Sequence, residues 1–187
     1  INVIIASVIL FFIFKPVLFN PDGYIFNKTG EKIKGYYNFS YNLQYGKGIK
    51  HEGVNYPYGE HIMFDNNQPF LLWTVKLINK IIPINSNGVG ILNLLMIFSI
   101  LLSIPFIFLI LRRSKLPVWY SSIITLIIIF LSPQLQRLQA QIELSYIFYI
   151  PMIWYFLIKI KENKNKWLWI TLLIVSGIGG GFIDKYY

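Results

Sequence analysis

The sequence contains no cysteine, which excludes disulfides and every thiolate-ligated metal site. Charge is also scarce. Only 13% of the 187 residues are Asp, Glu, Lys or Arg, against about 25% in an ordinary soluble domain. The basic residues nevertheless outnumber the acidic ones enough to give a formal charge of +9. They cluster at the ends of apolar runs and build no separate basic domain, so nucleic acid is not an expected partner.

Long hydrophobic runs fill the space that charge leaves. The chain is 55% hydrophobic and 18% aromatic, and its stretches of Ile, Leu and Phe are too long for strands or ordinary buried helices. A helix crossing a bilayer needs about 20 mostly apolar residues. Five runs approach that length. The first is Ile1 to Phe19, interrupted by Lys15 and Pro16; no small-residue cleavage site follows it, so it reads as a membrane helix rather than a signal peptide. On that reading Lys15 either snorkels to the interface or faces the protein interior. The others are Val89 to Leu111, Leu116 to Leu131, Ile142 to Ile158 with Pro151 midway, and Trp167 to about Ile183.

The expected fold is therefore an all-α membrane protein of about five transmembrane helices, forming a single transmembrane domain over residues 1–187. A first residue other than Met, and an end close behind an apolar run, suggest a fragment whose partners include the remaining helices of a longer chain. Residues 20–88 form a long loop after the first helix, rich in Tyr and Asn. Within it, Pro69 to Ile82 has a helical pattern, with Lys76, Asn79 and Lys80 on one side of a 3.6-residue wheel. At about 14 residues this helix is too short to span and is expected to lie amphipathically in the interface.

Charge orients the chain. The short connectors Arg112-Arg113-Ser114-Lys115 and 159–166 are rich in Lys and Arg and should be cytoplasmic. The N-terminus is then cytoplasmic, and the loop at 20–88 is external. The lysines of that loop are no objection, because long loops translocate largely regardless of charge.

Four features on the outer side are candidates for chemistry. Asp22 lies in Asn20-Pro21-Asp22-Gly23, where it is either a turn residue or a carboxylate at the membrane surface able to accept a proton from a hydroxyl. In Asn55-Tyr56-Pro57-Tyr58-Gly59-Glu60-His61, followed by Asp65, Pro57 and Gly59 imply a fixed turn. Glu60, His61 and Asp65 either converge on a ligand or belong to an aromatic loop packed over the helices. One His with two carboxylates is weak support for a divalent metal, so neither a metal nor a cofactor is expected. Arg137 can grip a phosphate bidentately or pair with Glu143. The glycines at 177 and 179–181 lack the Lys-Ser/Thr ending and the preceding strand of a phosphate loop, and point to close helix packing instead.

The order of these features resembles the N-terminal part of bacterial multi-pass membrane proteins related to the GT-C glycosyltransferases. A first membrane helix leads into Asp22-Gly23, then Lys34-Gly35-Tyr36-Tyr37-Asn38-Phe39, then Asn55 to Pro69 and an interfacial helix; Arg137 to Ser145 followed by Pro151 is similar as well. The resemblance implies transfer of a sugar from a polyprenyl-phosphate donor on the outer face of the bacterial cytoplasmic membrane. It implies Asp22 as catalytic base, with Arg137 suitably charged to stabilise the lipid phosphate; Glu60, His61, Asp65 and Arg137 are the candidate substrate-binding residues. This chain departs from the pattern at Ala140-Gln141, where the family has Gly-His, and near Asp184-Lys185, where it has His-Pro. The alternative is a non-catalytic multi-pass membrane protein used for transport, lipid handling or assembly. A transporter should carry ionisable groups at mid-span, and beyond Lys15 the runs here hold almost none. A purely structural subunit would have little use for so long an external loop.

Overall fold

The computed structural model describes residues 2–26, 30–46, 50–55, 57–62, 68–81, 88–133, 135, 138, 146–162 and 165–181. Among the described residues the fold is all-α apart from one ladder of two-residue strands. In chain order the elements are α1 (Asn2–Ile13), α2 (Lys15–Phe19), α3 (Gly30–Gln44), β1 (Lys50–His51), β2 (Glu60–His61), α4 (Pro69–Ile81), α5 (Gly88–Arg113), α6 (Val118–Phe130), α7 (Tyr149–Glu162) and α8 (Trp167–Gly181).

The first apolar run is one helix with a joint. Pro16 has no N–H to offer, and its ring crowds the carbonyl four residues back, so the chain breaks regular helix at Phe14. Hydrogen bonds from Phe14 N–H to the Leu10 carbonyl (2.8 Å) and from Leu18 N–H to the Phe14 carbonyl (2.9 Å) span the joint. Ala6, Leu10, Phe14 and Val17 are buried, a stripe at three- and four-residue spacing that faces the core. Lys15 is exposed, so the inward-facing reading of this lysine does not hold.

Helix α5, 26 residues long, is the centre of the molecule and packs against α1, α3, α6 and α7. Leu92, Met96, Ile100 and Ile104 repeat every four residues and are almost fully enclosed. Ser99 and Ser103 lie beside this stripe and donate back to the carbonyls of Met96 (2.7 Å) and Ile100 (2.6 Å). Each hydroxyl is thus satisfied inside its own helix and can be buried at little cost. On α6 the buried residues are Ser121, Thr125 and Ile129, small or slender side chains at the same spacing, which lets two helices approach closely.

Two elements differ from the expectation. Helix α3 was not legible as a helix, because its sequence is rich in Asn, Gly and Tyr, whose intrinsic helix propensity is modest. Its buried face is mixed: Tyr36 and Phe39 together with Asn38 and Asn42. Packing on α5 and α4, not propensity, selects the helical form. The run expected from Ile142 is also interrupted within its described part. Tyr146–Phe148 lie outside any helix and α7 begins at Tyr149, so Pro151 stands in the first turn, where no N–H is needed.

Helices α7 and α8 pair through Tyr149, whose hydroxyl donates to the Ser176 carbonyl. A Cβ at Gly180 would collide with that hydroxyl, whereas a Cβ at Gly177 or Gly181 would meet no described residue outside the helix backbone within 4 Å. The expected close packing thus rests on one glycine of the run. At the other end of α7, Glu162 forms an ion pair with Arg113 and ties the C-termini of α5 and α7 together.

Among the described residues, α5 is the one helix long and apolar enough by itself to cross a membrane; α1, α6 and α8 are apolar but shorter. The expected helix at 69–82 is present as α4, over Pro69–Ile81.

Candidate functional site

The sequence around Asp22 folds as a turn, and the turn is clamped to the start of α5. Gly23 N–H donates to the Asn20 carbonyl (3.2 Å) and to its side-chain oxygen (3.1 Å). This orientation sends Asp22 Oδ1 to the Gly90 N–H at 3.0 Å, across 68 residues of sequence. The first amides of a helix have no partner within it and carry the positive end of its dipole, so a carboxylate there is held by both hydrogen bond and charge. Asp22 is half-buried. Among the described residues its carboxylate makes this single hydrogen bond, which leaves Oδ2 with its lone pairs.

Gly90 is required by this approach, since a Cβ there would overlap Asp22 Oδ1, and Gly88 lies equally close to α3, where a Cβ would be 2.7 Å from the Ser40 Cα. Gly90→Ala should therefore lose the cap. It gains about 1 kcal/mol of helix propensity and loses a comparable or larger amount of capping. A lower midpoint of thermal unfolding in detergent is the expected outcome, and an unchanged or higher one would show that the carboxylate moves aside freely.

Asn93, one turn further along α5, holds the same turn from the other side. Its amide donates to the carbonyls of Pro21 (2.8 Å) and Tyr24 (2.7 Å), and its oxygen accepts from the Tyr36 hydroxyl at 2.6 Å. Both Asn93 and Tyr36 are buried. Burial pushes the Tyr36 hydroxyl well above its ordinary value of 10.0, partly offset by the Phe26 backbone, which bonds the phenol. A raised phenol contributes stability that is complete below the unfolded-state value and is lost as pH rises beyond it. The folded chain should accordingly lose stability from about pH 10 upward. Tyr36→Phe should flatten that alkaline decline in unfolding experiments across pH.

Beside this turn is a cavity of about 240 Å³, bordered by Phe14, Tyr24, Phe26, Phe130, Leu135 and Leu138. The rings are set edge to face, Phe14 to Phe26 at 5.8 Å and Tyr24 to Phe26 at 5.4 Å. The side chains of the wall are aromatic and aliphatic, although about half of the surface open to the cavity is polar, and Tyr24 lies two residues from Asp22.

The other candidates are placed differently. Glu60 and His61 form β2, paired antiparallel with Lys50 and His51 across a turn. The turn is fixed as expected: Tyr58 and Gly59 N–H donate to the Asn55 carbonyl, and Asn55 and Gly59 take φ of 53° and 70°. Successive strand residues point to opposite faces, so Glu60 and His61 leave β2 on opposite sides. Asn55 reaches Glu60 Oε2 only at 3.5 Å. Among the described residues no three His, Asp or Glu side chains group as metal ligands, and Asp22 has no hydrogen bond or ion pair to Glu60 or His61. Asp65, Arg137 and Glu143 lie outside the described residues.

Gln68 and Lys76 fasten α4 to its surroundings. Gln68, buried with φ of 47°, accepts from the Tyr146 hydroxyl at 2.6 Å through its side chain and from Leu72 N–H at 3.0 Å through its carbonyl. Lys76 Nζ donates to the Gly46 carbonyl at 2.9 Å, and burial holds its ammonium below the usual lysine value.

Asn93 and Tyr36 were not singled out from sequence. The signal for the first was present: a carboxamide within an apolar helix is costly unless it is fully bonded.

Fold and site together define an all-α protein with an apolar helix bundle and a polar, aromatic segment clamped to the N-terminal end of its central helix. The family model of a domain of unknown function, DUF6311, matches residues 3–179, and the chain belongs to that family. No curated protein and no solved structure matches it.

Proposed function

We propose that the chain is a multi-pass membrane protein crossing the bacterial cytoplasmic membrane about five times. Its outward surfaces support this. Phe12 and Ile13 on α1, Ile123 and Ile127 on α6, Ile150 and Leu157 on α7, and Ile174, Val175 and Ile178 on α8 are all exposed. Apolar surface on this scale, on helices that also bury apolar residues, is what lipid requires and water penalises. Helices of 13 to 15 residues reach only about 20 Å. Flanking residues and local thinning of the bilayer close the remainder. On α4, the exposed Phe70, Trp73, Leu77 and Ile81 make a stripe suited to lying in the outer interface.

The function we propose is that of a GT-C-like glycosyltransferase using a polyprenyl-phosphate-linked sugar donor at the outer face. The observation that carries it is Asp22, half-buried and held through Oδ1 at the α5 N-terminus, two residues before Tyr24 of the cavity wall. In this reading Oδ2 takes the proton of an acceptor hydroxyl as its oxygen attacks the anomeric carbon, and the bond from that carbon to the lipid phosphate breaks. Arg137 neutralises the departing phosphate, and the cavity takes the first part of the lipid chain. Glu60, His61 and Asp65 would bind substrate in the neighbouring loop, Glu60 and His61 from opposite faces of β2. The alternative, a non-catalytic membrane protein for transport, lipid handling or assembly, draws on the same cap: a carboxylate that ends a helix needs no chemistry to explain it.

The test is made in cells carrying the whole protein, by measuring surface glycan and the pool of lipid-linked sugar. Asp22→Asn and Arg137→Ala, at normal protein level, should each deplete glycan and accumulate lipid-linked donor. Unchanged pools in both would leave the non-catalytic reading standing.

A further inference from the structure

The bundle end opposite the Asp22 turn gathers four chain segments: the C-terminus of α5, the N-terminus of α6, the C-terminus of α7 and the N-terminus of α8. The Arg113–Glu162 ion pair and the packing of α5 on α6 and α7, and of α7 on α8, bring them together. The two connectors there, 112–115 and 159–166, carry seven basic residues and one acidic residue. That acid is Glu162, already matched by Arg113, and Lys159 lies over the rings of Tyr155 and Trp169 at 5.5 and 5.7 Å. Lys115, Lys161 and Lys166 are exposed. Around them stand exposed indoles, Trp119 at 65% and Trp167 at 78%. Indole rings favour the level of lipid headgroups, where one edge is wet and the other apolar. The carbonyl ends of α5 and α7 carry the negative pole of their dipoles, which suits cations of the protein but not an anion seated on the axis. An anionic group therefore fits at the lysine and tryptophan rim.

We propose that this rim, formed by Lys115, Lys161 and Lys166 with Trp119 and Trp167, is a docking surface for anionic phospholipid headgroups. Charge complementarity chooses the lipid class: a zwitterionic headgroup gains little from a cluster of this sign, whereas an anionic one gains from each lysine near the surface. The inference rests on the membrane reading of the bundle.

The experiment uses the full protein in detergent, presented with phosphatidylglycerol and phosphatidylcholine at equal amounts, and counts retained lipids by native mass spectrometry. Preferential retention of phosphatidylglycerol is expected, weakened by high salt. Lys115→Gln, Lys161→Gln and Lys166→Gln combined should cut the preference at least about tenfold, while arginine at the same three positions should preserve it. Equal retention of the two lipids by the unaltered protein would overturn the proposal, as would a preference unmoved by the glutamine variant. Failure of the membrane reading is distinguishable: the protein would then be released from cell membranes by alkaline carbonate and would retain neither lipid.

Discussion

Asn93→Leu is expected to destabilise the folded chain by about 3 kcal/mol or more, the largest effect on stability among single substitutions at the site. Leucine is close in size, so no large cavity forms, and the loss is of hydrogen bonds. Three groups lose their partner together: the carbonyls of Pro21 and Tyr24 and the hydroxyl of Tyr36. A buried polar group left unsatisfied costs about 1–3 kcal/mol, and these three act on one turn, so their losses are not simply additive. Ser103→Ala is the control. Its hydroxyl is also buried but bonds the Ile100 carbonyl of its own helix, so its removal should cost less than about 1 kcal/mol. Thermal unfolding of both variants in one detergent makes the comparison. Equal midpoints would mean that the 21–24 turn is not held by Asn93.

On the proposed reading of Asp22 as the base, Asp22→Asn is expected to lower glycosyl transfer by about 10²–10⁴-fold while leaving the fold close to unaltered. The separation follows from the geometry. Asparagine keeps a side-chain oxygen that accepts the Gly90 N–H, so the cap persists apart from about 0.3–1 kcal/mol of charge–dipole attraction. It cannot accept a proton, however, so a base would be lost. Asp22→Ala loses both functions and should cost about 1 kcal/mol of stability as well. A carboxylate that only caps gives the opposite pattern: Asn behaves as wild type in both stability and glycan, and Ala alone is impaired.

Much of the fold was legible because hydrophobic runs are a local property. The expected run from Val89 to Leu111 is α5 to within a few residues, and the helix expected from Pro69 is α4. Pro16 told of an interruption, and the structure makes it a joint at Phe14. The turn at Asn20–Gly23 was legible for the same reason, as was the Pro57–Gly59 turn, since Gly, Asn and Pro encode turns in their own backbone preferences. What the sequence hid depends on contacts between distant segments. Helix α3 is chosen by packing on α5, and the partner of Asp22 lies 68 residues away. Pro151 looked like mid-helix because the apolar run starts well before it, yet an apolar run does not mark where a helix begins. That Glu60 and His61 leave a strand on opposite sides follows from strand geometry, which a turn motif alone does not reveal.

The proposed orientation of the bundle underlies the proposed lipid surface and the proposed role of Asp22, and the cysteine-free sequence makes it directly measurable. A single cysteine is placed at Tyr58, which is 86% exposed in the loop after the first helix, or at Ser114, exposed at the opposite end of α5. Intact cells are then treated with a membrane-impermeant maleimide. The predicted result is that Tyr58→Cys labels in intact cells and Ser114→Cys labels only after permeabilisation. Labelling of Ser114→Cys in intact cells, or protection of Tyr58→Cys until the membrane is opened, would contradict the account.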